Sequence, residues 1–104
     1  MICRVWHGWA APRNADTYES LLKNEIFAGI LARGIDGFRR IQLLRPATDA
    51  KVEFVTIMEV DSLEAVRRFA GDDYETAVVP PKARAVLSHF DARSQHYETR
   101  NAMP

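Results

Sequence analysis

The chain has 104 residues, with 14 Lys and Arg balanced by 14 Asp and Glu for a formal net charge of zero. Hydrophobic residues make up 47% and charged residues 27%, an ordinary globular composition that excludes a disordered, collagen-like or disulfide-dense chain. The length fits one domain, and a zero charge balance argues against a nucleic-acid partner, because a phosphate backbone demands an excess of Lys and Arg.

The opening Met-Ile-Cys-Arg-Val-Trp-His lacks the basic start and long apolar run of a signal peptide. No apolar stretch approaches the ~20 residues needed to cross a bilayer. Cys3 is the one cysteine, so no intrachain disulfide forms. The expectation is a cytoplasmic protein with no membrane partner.

Residues 2–10 (ICRVWHGWA) are rich in β-branched and aromatic types and read as a strand. Alternation puts Ile2, Arg4, Trp6 and Gly8 on one face and Cys3, Val5, His7 and Trp9 on the other. Both faces carry large apolar groups, so both are covered, and the pattern leaves open which one meets the helices. Pro12, Arg13 and Asn14 then form a break. Asp16 with Glu19 resembles a capping box, with Asn14 as a rival cap. Tyr18, Leu21, Leu22, Ile26, Gly29 and Ile30 follow at spacings of three and four, which is one apolar helical stripe. Phe27 and Leu31 widen that stripe, and Gly34 ends the helix.

Residues 38–45 form a second strand stopped by Pro46, and residues 51–60 (KVEFVTIMEV) a third. The short link through Ala47, Thr48, Asp49 and Ala50 makes the two an antiparallel hairpin. Asp61 with Glu64 predicts a capping box into a helix over 62–70, with Leu63, Val66, Phe69 and Ala70 as its buried stripe. Gly71 stops it. Asp72-Asp73 opens a helical turn, and Pro81 suits the first turn of a short helix. Residues 89–98 read as a last strand, followed by a frayed tail.

The order strand, helix, strand, strand, helix, strand is the split βαβ arrangement, an α+β ferredoxin-like βαββαβ fold with an antiparallel four-stranded sheet. The single domain spans residues 1–104, with a core from about residue 2 to residue 98. Right-handed crossovers place both helices on one sheet face. The other face is then bare, and a bare apolar sheet calls for a partner, so a homodimer packed through the open faces is expected.

The element order and the stretch VEFVTIMEVDSLEAVRRFAGDDYETAV resemble the dimeric α/β-barrel superfamily, and within it the antibiotic-biosynthesis-monooxygenase-type domains. The starting ICRVWHG and the terminal HYE are similar in style. The resemblance implies a cofactor-independent monooxygenase-like protein acting on a small hydrophobic or phenolic compound, with no flavin and no metal. The same superfamily holds non-redox binding, isomerase and stress-response proteins, and a fold does not decide among them. Its heme-degrading branch uses an Asn, a Trp and a His at positions that fall near His7, Phe69 and Val79, and none of these types is kept here.

Within this reading His7 is the candidate base, because an imidazole facing a cavity takes up a proton near neutrality. Tyr18 would orient a substrate. Trp6 and Trp9 point opposite ways, and either stacks on a flat ligand; Trp9 and Phe69 would wall the pocket. Tyr74 offers a hydroxyl to a substrate carbonyl. His96 shares parity with Phe90, Ala92 and Ser94, small enough groups for a pocket to open. No metal is expected, because a Cys-His pair supplies too few ligands. Arg4, Arg40 and Arg45 lie on strands; any that points into a covered face must pair with a carboxylate or with an acidic ligand, and Glu53, Glu59 and Asp91 are available. A void of roughly a few hundred cubic ångströms lined by His7 and aromatics would favour an enzyme or a binder; a filled interior would favour a structural module.

Overall fold

Strand parity decides which side chains meet the helices. In the computed structural model, which describes residues 1–48 and 52–104, five strands form one antiparallel sheet. They are β1 (Ile2–Ala10), β2 (Phe38–Leu44), β3 (Val52–Val60), β4 (His89–Phe90) and β5 (Gln95–Glu98). The order is β2-β3-β1-β4, with β5 also paired to β1. The predicted final strand is therefore two short pieces along one edge of β1. Between them, the chain pairs with the segment before α4 instead: Ala77 N–H donates to Ala92 C=O at 2.9 Å and Ser94 N–H to Glu75 C=O at 2.7 Å. The predicted link through Asp49 and Ala50, and Lys51 at the predicted start of the third strand, lie outside the described residues.

The helices are α1 (Pro12–Leu21), α2 (Phe27–Ala32), α3 (Leu63–Ala70) and α4 (Pro81–Val86), with a π-helical turn over Leu22–Ile26 joining α1 to α2. They cover the sheet face that carries the even-numbered residues of β1 and β3. Phe54, Val52 and Ala10 pack against Tyr18, Leu22 and Ala83. Met58 and Val60 pack against Ala65 and Val66. This is a ferredoxin-like α+β fold with all helices on one side. Among the described residues no helix is long and apolar enough to cross a membrane.

Two caps differ from the predicted ones. The first helix starts at Pro12, whose missing N–H costs nothing at a first helical position. Asp16 and Glu19 lie within it and bind Arg45 of the strand connection, at 2.8 and 3.1 Å. At α3 the cap is Ser62, whose hydroxyl accepts from Ala65 N–H at 3.3 Å. Asp61 is drawn away into a two-pronged ion pair with Arg39, at 2.5 and 2.9 Å. Leu31 and Leu63 prove exposed, because the α2 and α3 stripes are narrower than the sequence spacing implied. Asp72-Asp73 form a turn with no helix.

Candidate functional site

The covered face holds a cavity of about 70 Å³ between the sheet and the helices. Arg4, Trp6, Ile41, Thr56 and Met58 form its floor from three strands, and Phe69 of α3 closes one side. Tyr18, Leu22, Ile26, Phe27 and Ile30 form its roof, with Val79, Pro80 and Ala83 at the α4 end. The π turn shapes that roof. Phe27 N–H bonds Leu22 C=O, a wider loop of backbone than an α-turn, so Leu22, Ile26 and Phe27 all reach the cavity. Such turns are rare and are frequent at functional sites.

Gly8 sets the position of Trp6. A Cβ at Gly8 would come within 3.0 Å of the Trp6 ring and 3.4 Å of Leu87, so the indole lies close over a strand position that any side chain would crowd. Its Nε1–H donates to Asp91 C=O at 2.7 Å, which leaves the ring's apolar surface to the cavity.

The polar lining consists of three hydroxyls and one cation. Tyr18 is 1% exposed and packs its ring edge-on against Phe54, with centroids 4.9 Å apart. No described residue hydrogen-bonds its hydroxyl, which is not fully buried, since every fully buried polar side-chain atom among the described residues has a partner. Burial holds the Tyr18 phenol above its ordinary pKa, so it stays protonated. The Ser94 and Thr56 hydroxyls, also on the lining, likewise have no side-chain hydrogen bond among the described residues.

Arg4 is 5% exposed. Its Nη1 donates to Tyr74 C=O and to His96 Nε2, the latter at 2.9 Å, and its Nη2 donates to Thr76 C=O at 3.3 Å. Its guanidinium also stands 5.5 Å from the centre of the Phe69 ring. Burial lowers its pKa to about 10, which leaves it charged at neutrality. Arg40 pairs with Glu59, and Arg45 with Asp16 and Glu19. Arg4, the one strand arginine on the covered face, has no carboxylate partner among the described residues.

Of the sequence-predicted residues, Trp6, Tyr18 and Phe69 meet in this cavity. Tyr74 and His96 sit just outside it, on a polar groove that shares Ser94 with the cavity. Their rings meet edge-on at 5.1 Å, and Arg4 ties both to the cavity floor. His7 and Trp9 are not part of it. Odd-numbered β1 residues face away from the helices, so the expectation that His7 works in a cavity walled by Trp9 and Phe69 is corrected by parity. On the open face His7 Nδ1 stands 3.4 Å from Asp91 Oδ2, and Trp9 lies against His89 with ring centres 4.8 Å apart. Ser94, which shares parity with His96, does lie on the cavity lining; Thr56 and the π turn gave no signal in the sequence. Arg4 was legible as a conditional: its parity with Trp6 already implied that the two share a face. No group of three or more His, Cys, Asp or Glu among the described residues could hold a metal ion.

Comparison with known proteins supports the same class. The chain is similar to a solved structure described as a dimeric ferredoxin-like protein from an uncultured marine organism, with a TM-score of 0.59. The two share 12% identity over 99% of this chain and 97% of that one, which speaks to the fold alone. No family model matches the chain, and no curated protein matches it.

Proposed function

We propose that this chain is a small-molecule-binding domain that works as a homodimer, with the covered cavity as its ligand site. One observation carries the reading: Tyr18, 1% exposed, lines a largely apolar cavity, and its hydroxyl has no hydrogen-bond partner among the described residues. Because no fully buried polar side-chain atom among them lacks a partner, that hydroxyl keeps access to open space, and a bound ligand with a polar atom would give it a hydrogen bond worth about 1 kcal/mol. The cavity is roughly half of the ~150 Å³ that holds benzene in an engineered apolar site. It suits a compact molecule.

Trp6, Tyr18 and Phe69 favour a second reading, a cofactor-independent monooxygenase of a phenolic compound, since aromatic walls suit a flat ligand. That chemistry calls for a base to take the phenolic proton. The cavity offers hydroxyls and Arg4, while His7 lies on the opposite face. Binding without oxygen chemistry is therefore the better supported reading. Oxygen uptake with a panel of hydroquinones and anthrones tests the alternative; consumption above the buffer rate that Tyr18→Phe abolishes would restore it.

For the binding reading, the test is titration of the protein with compact neutral molecules such as isobutanol and isobutyramide, followed by methyl NMR. Saturable shifts at Met58, Leu22 and Ile26, with Val5 and Ile57 unmoved, are expected. Shifts that never saturate, or that spread over the open face, would end it.

A further inference from the structure

A buried cation without a counter-ion among the described residues says something about charge that the cavity's apolar walls do not. Moving a guanidinium out of water is expensive, and buried charges are normally paired. Arg4 is 5% exposed, and its neighbours offset part of that cost with two carbonyls and one neutral imidazole. All three are dipoles, and none carries a negative charge. A guanidinium has five N–H donors, of which the three hydrogen bonds use three. Two remain, one on Nε and one on Nη2. An arginine with two donors to spare matches the two oxygens of a carboxylate. The nearby carboxylates are committed elsewhere: Glu75 to Arg93, Glu59 to Arg40, and Asp91 beside His7.

We propose that the cavity takes its ligand as an anion: a compact monocarboxylate whose apolar tail lies among Trp6, Met58 and Leu22 and whose oxygens pair with Arg4. This rests on the cavity being a ligand site at all. Tyr18, Thr56 and Ser94 are hydroxyl donors on the same wall, and each suits a carboxylate oxygen better than an apolar group. The cavity volume of about 70 Å³ sets the size of the tail at a few carbon atoms. An alternative account makes Arg4 a staple that holds the chain at Tyr74 and Thr76, with the free donors hydrated.

The two accounts separate in a binding comparison on the wild-type protein near pH 7. Isobutyrate and isobutyramide have the same shape and differ in charge. Calorimetric titration is expected to give isobutyrate at least a tenfold lower Kd, and Arg4→Met is expected to remove that preference. Tyr18→Phe is expected to weaken isobutyrate several-fold while keeping the preference for it. If the amide binds as tightly as the acid, the anion proposal fails and the ligand site stands. If acid, amide and isobutanol all fail to bind, the ligand site falls and the proposal with it. The acid-amide comparison decides the matter even where Arg4→Met fails to fold.

Discussion

Arg4 donates to His96 Nε2 at 2.9 Å. Arginine has no lone pair to offer, so Nε2 must accept, and the imidazole is the neutral tautomer with its proton on Nδ1. The His96 pKa is lowered from 6.5, first by burial and then by the Arg4 charge, with Glu75 acting the other way. A histidine that resists protonation in the fold stabilises it fully above the unfolded value. As pH falls through 6.5 the unfolded chain takes up the proton first, and stability is lost until His96 itself titrates. Melting temperature is therefore expected to drop between about pH 7.5 and pH 5.5. His96→Gln keeps an acceptor for Arg4 and removes the titration, so its drop should be smaller. An unchanged drop would take His96 out of the account.

Tyr18→Phe separates a ligand group from a core group. The ring packs on Phe54 and fills the same volume without its oxygen. With no hydrogen-bond partner among the described residues to lose, the variant is expected to fold with a stability equal to wild type or up to about 1 kcal/mol higher, by denaturant titration. A loss of more than about 1 kcal/mol would reveal a structural bond to the hydroxyl. His7→Ala provides the contrast. It lies on the far side of the sheet, so affinity for cavity ligands should stay within twofold of wild type.

The ferredoxin-like order was readable because each element carries its own period: alternation along β1 and β3, threes and fours along α1 and α3. The orientation of β1 was not. Trp6 and Trp9 make its two faces about equally apolar, and hydrophobicity alone has no way to choose between them. What chooses is Gly8, where a side chain would strike the Trp6 ring, and the helices pack on that side. The cavity followed the same limit. His7 is the natural base by residue type, yet chemistry depends on which side of the backbone a group leaves. Arg4 was visible as a strand arginine that must find a partner if it points into a covered face, but its lack of a carboxylate among the described residues appears only once Glu59, Glu75 and Asp91 are placed.

Ser62 and Asp61 illustrate how neighbours compete for one role. Either has an oxygen suited to capping α3, and Ser62 takes it because Arg39 on β2 captures the Asp61 carboxylate. Ser62→Ala is expected to cost about 1 kcal/mol, within the usual range for a lost cap. Asp61→Asn should cost less, since its pair with Arg39 is exposed to solvent and salt screens it. Melting curves at low and high salt distinguish the two: the Asp61 effect should fade with salt and the Ser62 effect should not. A larger loss from Asp61→Asn would reverse the assignment of the cap.

The open face yields the remaining prediction. Val5 pairs directly with Ile57, and His7 with Val55, on the side without helices. Leu44 and Tyr97 extend that side to the sheet edges and are 45% and 57% exposed. A sheet layer with apolar groups at its centre and the Arg40–Glu59 pair toward its margin has the make-up of a dimer core with a polar rim. A second copy laid face to face on it would bury Val5, Val55 and Ile57 by two-fold symmetry. Ile57→Glu would then place two carboxylates close together in an apolar layer. The expected result is a monomer by analytical ultracentrifugation at micromolar concentration, with the circular dichroism of the folded chain retained. The wild-type protein should sediment at twice the 11.8 kDa of one chain. A wild type that sediments as a single chain would mean that this face is stable in water, and the homodimer would have to be abandoned.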